Sequence, residues 1–147
     1  MERPAKPRLF VDADVLIAAS ASTKGASHIL LQLSDLTIIE CIVSKQVVVE
    51  AERNLRDKLP QALPAFRLLV ASAVEQVEDP DQSQIQSLIG QAEAKDLSIL
   101  AAALSNGCQY LVTFNVRHYR PSASIIAVLR PGEFLLKLRE QLSTLVS

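Results

Sequence analysis

Short apolar runs alternate with stretches of helical spacing along the 147 residues. Residues 8–11 form an apolar strand that runs straight into Asp12-Ala13-Asp14, and Val15 to Ala19 resume as a turn or two of helix. Residues 20–25 are small and polar, hence a loop. Ile29, Leu30 and Leu33 line one face of a helix over 26–36. Residues 37–43 are β-branched and apolar and predict a strand. Ser44 can cap a helix that runs to about Lys58, before Pro60. A further helix is expected over 61–73, a short strand over 74–77 and a turn at Asp79-Pro80-Asp81. Helices are then expected over 83–89, near Gly90, and over 95–105, stopping at Asn106-Gly107. Strands over 109–113 and 125–129 follow, separated by a polar loop through Pro121. Pro131 opens a last helix with Phe134, Leu135, Leu138, Leu142 and Leu145 on one side.

Strands and helices alternate, and every crossover is expected to contain a helix. That pattern predicts an α/β fold with a parallel sheet between helical layers, in one domain over residues 1–147. Ligands of such sheets bind beyond the carboxyl ends of the strands. Composition agrees: 49% of residues are hydrophobic and only 4% aromatic, the aliphatic mix of strands buried on both faces. Cys41 and Cys108 each sit in an apolar run, which points to buried, reduced thiols rather than a disulfide framework or a zinc site. The first eight residues carry charges and two prolines but no apolar h-region, and no apolar run approaches a membrane span. The chain is therefore expected to be cytoplasmic, with no membrane partner. A net charge of −1 argues against tight, nonspecific grip on nucleic acid, but allows a basic patch beside an acidic pocket.

The polar residues at the strand ends narrow the chemistry. Asp12 follows the first strand directly; as a lone feature it is a turn residue or a helix cap. On the helix after Ser44, Val47, Glu50, Ala51, Asn54 and Leu55 share one face, while Glu52/Arg56 and Arg53/Asp57 are spaced as i,i+4 ion pairs on a solvated side. Glu50 thus lies on or at the edge of the apolar stripe, where a carboxylate is costly unless it reaches water, pairs or meets a cation. Asp96 stands in line with Ile99, Leu100, Ala103 and Leu104; its plain alternative is an N-cap. Thr113 and Asn115 follow the strand before the polar loop. His118 is a loop histidine close enough to this edge to touch a phosphate, and His28 a helix-surface one. Asp12, Glu50, Asp96 and Asn115 come from four different elements that a βα topology can bring to one sheet edge. Oxygen-only ligands of this kind suit Mg²⁺ or Mn²⁺.

Four segments in order, Leu9-Phe10-Val11-Asp12-Ala13-Asp14-Val15-Leu16, the run from Val43-Ser44 through Glu50 to Asn54-Leu55, Lys95-Asp96-Leu97-Ser98-Ile99-Leu100, and Tyr110-Leu111-Val112-Thr113-Phe114-Asn115, resemble the PIN-domain ribonucleases. That family includes the toxins of many toxin–antitoxin pairs. The resemblance implies a three-layer α/β/α sandwich with a mainly parallel sheet and Mg²⁺- or Mn²⁺-dependent cleavage of RNA. It implies an acidic cluster of Asp12, Glu50 and Asp96 as metal ligands, with Asn115 at the fourth catalytic position. The family often has Asp there; Asn brings an oxygen but no charge. Asp14, Thr113 and Asn54 are expected to support the cluster. An antitoxin-type protein and a second copy of the chain are the partners the resemblance implies.

Two other readings stand beside it. Asp12-Ala13-Asp14-Val15 after a strand, with Thr113 at a later strand end, also looks like the nucleophile motif of haloacid-dehalogenase-type phosphatases, in which the first Asp is phosphorylated. That family needs a late acidic pair, and beyond Thr113 the acids are Glu133 and Glu140. The other reading is a catalytically weak PIN-like module that binds RNA or protein.

Overall fold

Leu9, Phe10 and Val11 are wholly buried, and together with Arg8 they form β1 (Arg8–Val11), the middle strand of a five-stranded sheet in this computed structural model. The structure describes residues 6–122 and 125–146; the leader reading of the first residues lies largely outside them. Asp12 caps α1 (Ala13–Ala21), accepting a hydrogen bond from the Ala13 N–H, so this helix starts two residues earlier than its apolar spacing suggested. It also runs past Ser20, whose hydroxyl turns inward onto the Leu16 carbonyl instead of opening a loop.

α2 (Ala26–Asp35) is followed by β2 (Glu40–Ser44), which begins three residues later than predicted. The cause is the end of α2. Thr37 takes the left-handed conformation, φ 64°, and the Ile38 N–H reaches back to the Leu33 carbonyl, a helix stop usually built on glycine. Without a glycine to mark it, the β-branched run read as strand. Ser44 caps α3 (Lys45–Lys58) through the Val47 N–H, and Val47, Ala51 and Leu55 form its buried stripe. Next come α4 (Leu63–Ser72), β3 (Val74–Val77) and a short α5 (Gln82–Gln86) opened by an Asp81/Gln84 capping box. A 3₁₀ turn over Ala94–Asp96 leads into α6 (Leu97–Ser105), which ends at Gly107 with φ 68°. β4 (Tyr110–Val112), β5 (Ala127–Leu129) and α7 (Pro131–Val146) complete the order.

All four strand pairings are parallel, in the order β3-β2-β1-β4-β5. Successive strands step one way to β3, then the chain crosses to β4 on the other side of β1. Right-handed crossovers therefore put α1 to α4 on one face and α5 and α6 on the other. The packing agrees: α1 touches α2, α3 and α4, while α6 packs on β1, β2 and β4. The predicted three-layer sandwich is present. The expectation that every crossover carries a helix fails at β4 to β5, where the described residues hold only a 3₁₀ turn, Val116–His118. The order reverses between β1 and β4, and that crevice is where this class of sheet binds its ligands. Among the described residues no helix is long and apolar enough to cross a membrane. Cys41 and Cys108 are free and buried, and burial pushes both thiols up to about 12, so they stay protonated.

Candidate active site

Four elements deliver acids to the crevice. Asp12 ends β1, Asp14 opens α1, Glu50 comes from the second turn of α3, and Asp96 stands where the 3₁₀ turn passes into α6. All four line one recess of about 180 Å³, together with Gln46, Lys95, Ile99, Asn115 and His118. The predicted set Asp12, Glu50, Asp96 and Asn115 is thus brought together. Asn54 is not: it sits one turn beyond Glu50, half-buried, and does not line the recess. The 3.6-residue period that puts both on one stripe also carries Asn54 about 6 Å further along the helix axis.

Asp12 is buried and held on both oxygens. Oδ1 accepts from the Ala13 N–H at 2.8 Å; Oδ2 accepts from the Thr113 hydroxyl at 2.9 Å and the Tyr119 hydroxyl at 3.1 Å. Thr113 also lies 3.4 Å from Asp14 Oδ2, but a hydroxyl has one proton, and the shorter contact takes it. Thr113 in turn accepts from the Asn115 N–H. The cap reading and the cluster reading of Asp12 are both satisfied.

Asp14 is no exposed helix-start residue. Its Oδ2 accepts from the Phe114 N–H at 3.0 Å and the Asn115 side-chain amide at 3.1 Å, while its buried Oδ1 has no partner. Asn115 therefore uses its side-chain N–H on Asp14. Asp96 does occupy the N-cap position of α6, but its side chain makes no cap bond; its Oδ2 lies 3.0 Å from His118 Nδ1 instead. Glu50 is exposed as a residue, at the stripe edge, yet its carboxylate faces the recess and makes no hydrogen bond or ion pair among the described residues.

Crowding shows in the acidities. Burial pushes Asp12 above the usual carboxylate range and the Asp96 charge adds to it, only partly offset by its three donors. Burial and then the Asp12 charge raise Asp14 to about 6. Glu50 is raised by desolvation and by Asp12 and Asp96, with Lys95 and Arg53 opposing. Burial and the surrounding acids raise Tyr119, which therefore stays a donor.

Tyr119 was missed by sequence reasoning. Its signal was an aromatic in a polar loop, because a buried tyrosine hydroxyl must find a partner. The loop carrying it is clasped to the segment before Asp96: Ala92 and Tyr119 form an antiparallel bridge, with Glu93 N–H to His118 O at 2.8 Å and Arg120 N–H to Gln91 O at 2.6 Å. One clasp thus sets Asp96, His118 and Tyr119 together. His28 is not purely a surface residue either; its Nδ1 lies 2.9 Å from the Ala19 carbonyl of α1.

Among the described residues, no three His, Cys, Asp or Glu side chains already converge tightly enough to hold a cation. The donor set nevertheless fits a hard divalent ion: the acids offer oxygen only, one buried carboxylate oxygen is orphaned, and three acids have raised pKa values, a cost of crowded charge that a cation would relieve.

A five-stranded parallel sheet with an acidic recess at its switch point defines a class that the comparisons name. The chain belongs to the PIN domain family, whose model matches residues 8–117. Among solved structures it is similar to PAE2754 from Pyrobaculum aerophilum (17% identity, TM-score 0.65, covering 91% of this chain and 90% of that one). It is also similar to VapBC2 from Rickettsia felis bound to a DNA fragment from the promoter (15%, 0.65, 82% and 96%). A third is Mycobacterium tuberculosis VapC20, a sarcin–ricin loop cleaving toxin (16%, 0.51, 70% and 86%). These likenesses concern the fold. No curated protein matches the chain. The haloacid-dehalogenase alternative loses its late acids: Glu133 is held by Arg130, and neither it nor Glu140 lines the recess.

Proposed function

We propose that this chain is a Mg²⁺- or Mn²⁺-dependent endoribonuclease, with the acidic recess as its active site. The observation that carries the reading is the delivery of Asp12, Asp14, Glu50 and Asp96 by four elements to one small cavity at the switch point. Structural ion-pair networks also gather charge, but here acids outnumber the cations lining the recess, and crowded acids with raised pKa values mark functional sites.

Asp12, Asp96 and Glu50 would hold the metal. When bound, it supplies charge neutralisation and a more acidic water at the phosphodiester. A carboxylate oxygen has two lone-pair directions. Asp12 Oδ2 fills both with Thr113 and Tyr119, which leaves Oδ1 as its ligating atom. Thr113 supports Asp12, and Asn115 holds Asp14. Glu50 either ligates the metal or, with no hydrogen-bond partner and a raised pKa, accepts the proton of the attacking water. Water adds to phosphorus, the ribose 3′-oxygen leaves, and the product carries a 5′-phosphate.

The family and the likeness to VapBC2 support a place among toxin–antitoxin ribonucleases, with an antitoxin-type protein and a second copy as partners. End-group analysis of single-stranded RNA cut in Mn²⁺ tests the chemistry. A 5′-phosphate is expected; a 2′,3′-cyclic phosphate would overturn attack by water.

A further inference from the structure

Beside the acidic recess lies a wider groove of about 640 Å³, lined by Lys45, Gln46, Val49, Glu50, Arg53 and Asp79. Gln46 and Glu50 line both, so the two spaces adjoin. From Lys45 to Arg53 the groove follows one strip of α3 for about 12 Å. The sequence suggests that Arg53 is neutralised by Asp57 one turn on. In the structure Glu52 and Arg56, at the same spacing, do pair at 3.0 Å, but Arg53 makes no ion pair among the described residues, and neither do Lys45 or Lys95. Asp79 lines the same groove but forms no ion pair with Lys45; its carboxylate accepts from the Gln46 N–H at 2.9 Å. Between the two free cations Val49 is 44% exposed.

Resting on the nuclease reading, we propose that this strip of α3 is the substrate track: Lys45 and Arg53 take two non-adjacent backbone phosphates of single-stranded RNA beside the scissile bond. The two residues stand about 12 Å apart along the helix axis, which spans more than one phosphate of a backbone charged every few ångströms. Val49 gives a ribose or base an apolar surface between them. Glu50 also borders the groove, and a cation held in the recess would offset its charge toward phosphate. A protein of net charge −1 thereby holds RNA through local cations, and its affinity depends on few of them.

The test is binding of a labelled oligouridylate by full-length Asp12→Asn protein in Mg²⁺, across a salt series. For a single strand, each phosphate that the protein no longer neutralises lowers the slope of log affinity against log salt by about 0.7. Arg53→Gln and Lys45→Gln are each expected to show that drop, and Arg53→Lys to keep the parent slope. Arg56→Gln, whose side chain is held by Glu52, is the control and should leave the slope unchanged. In the cleaving enzyme Arg53→Gln should raise KM more than it lowers kcat. RNA binding retained with unchanged slope in both Gln variants would overturn the track and leave the nuclease reading standing. No RNA binding by any form would overturn both.

Discussion

Asp12 accepts three hydrogen bonds where a helix cap needs one. The extra donors fix a carboxylate that burial would otherwise disfavour, and Tyr119 is the one that leaves the fold intact when removed. Tyr119→Phe keeps the ring and its clasp but deletes one bond to a charged group, worth about 1.5–3 kcal/mol. Roughly a tenfold or larger loss of kcat is expected, with weaker Mn²⁺ binding by calorimetry. Unchanged kcat and Mn²⁺ affinity would remove Tyr119 from the site. Asp14 gives a pH signature. Its folded-state value of about 6 lies above the ordinary 3.8, so the folded protein holds that proton more tightly than the unfolded chain does. The resulting stability is complete below about pH 4 and is lost as pH rises through 6. Asp12 and Glu50, also raised, act in the same direction. Metal-free protein should therefore lose stability over this range, and Asp14→Asn should flatten the loss by on the order of 1–2 kcal/mol after solvent screening. Urea melts at several pH values read this directly, and a parallel wild-type and Asp14→Asn profile would refute it.

Among the elements, α3 and β1 were legible to the residue because both ends carry local chemistry: Ser44 caps one, Pro60 follows, and an apolar run ends on Asp12. β2 was not, because Thr37 does a glycine's work at the end of α2. A β-branched residue at φ 64° costs about 1 kcal/mol or more. Thr37→Gly should raise the urea midpoint, corresponding to about 1 kcal/mol of added stability; a lower midpoint would show that the threonine is not strained. Helix periodicity placed Glu50 correctly but could not tell that Asn54, on the same stripe, stops short of the recess. The same limit applied to Arg53 and Asp57: i,i+4 spacing permits a pair, and only the neighbouring groove reveals that Arg53 does not make it.

For the whole molecule, the alternation of strands and helices specified the layers, and the switch point followed from the order β3-β2-β1-β4-β5. What the sequence left hidden depends on long-range closure. The bridge between Ala92 and Tyr119 joins segments with no shared local pattern, so neither the His118–Asp96 contact nor Tyr119 beneath Asp12 could be read from spacing. Asn115 was expected beside the acids; there it gives its side-chain N–H to Asp14 and so tempers one charge of the cluster, a partner that spacing did not reveal.

The central claim is that these acids work as one metal-dependent nuclease centre. Cleavage of a generic single-stranded RNA in Mn²⁺, Mg²⁺ and EDTA, with wild type and Asp12→Asn prepared alike, tests it most directly. The account predicts cutting by wild type in either cation, none in EDTA, and a loss of at least about a hundredfold in Asp12→Asn, the scale expected when a principal charge-stabilising group is removed. Equal cutting by the two proteins, or cutting that survives EDTA, would contradict it.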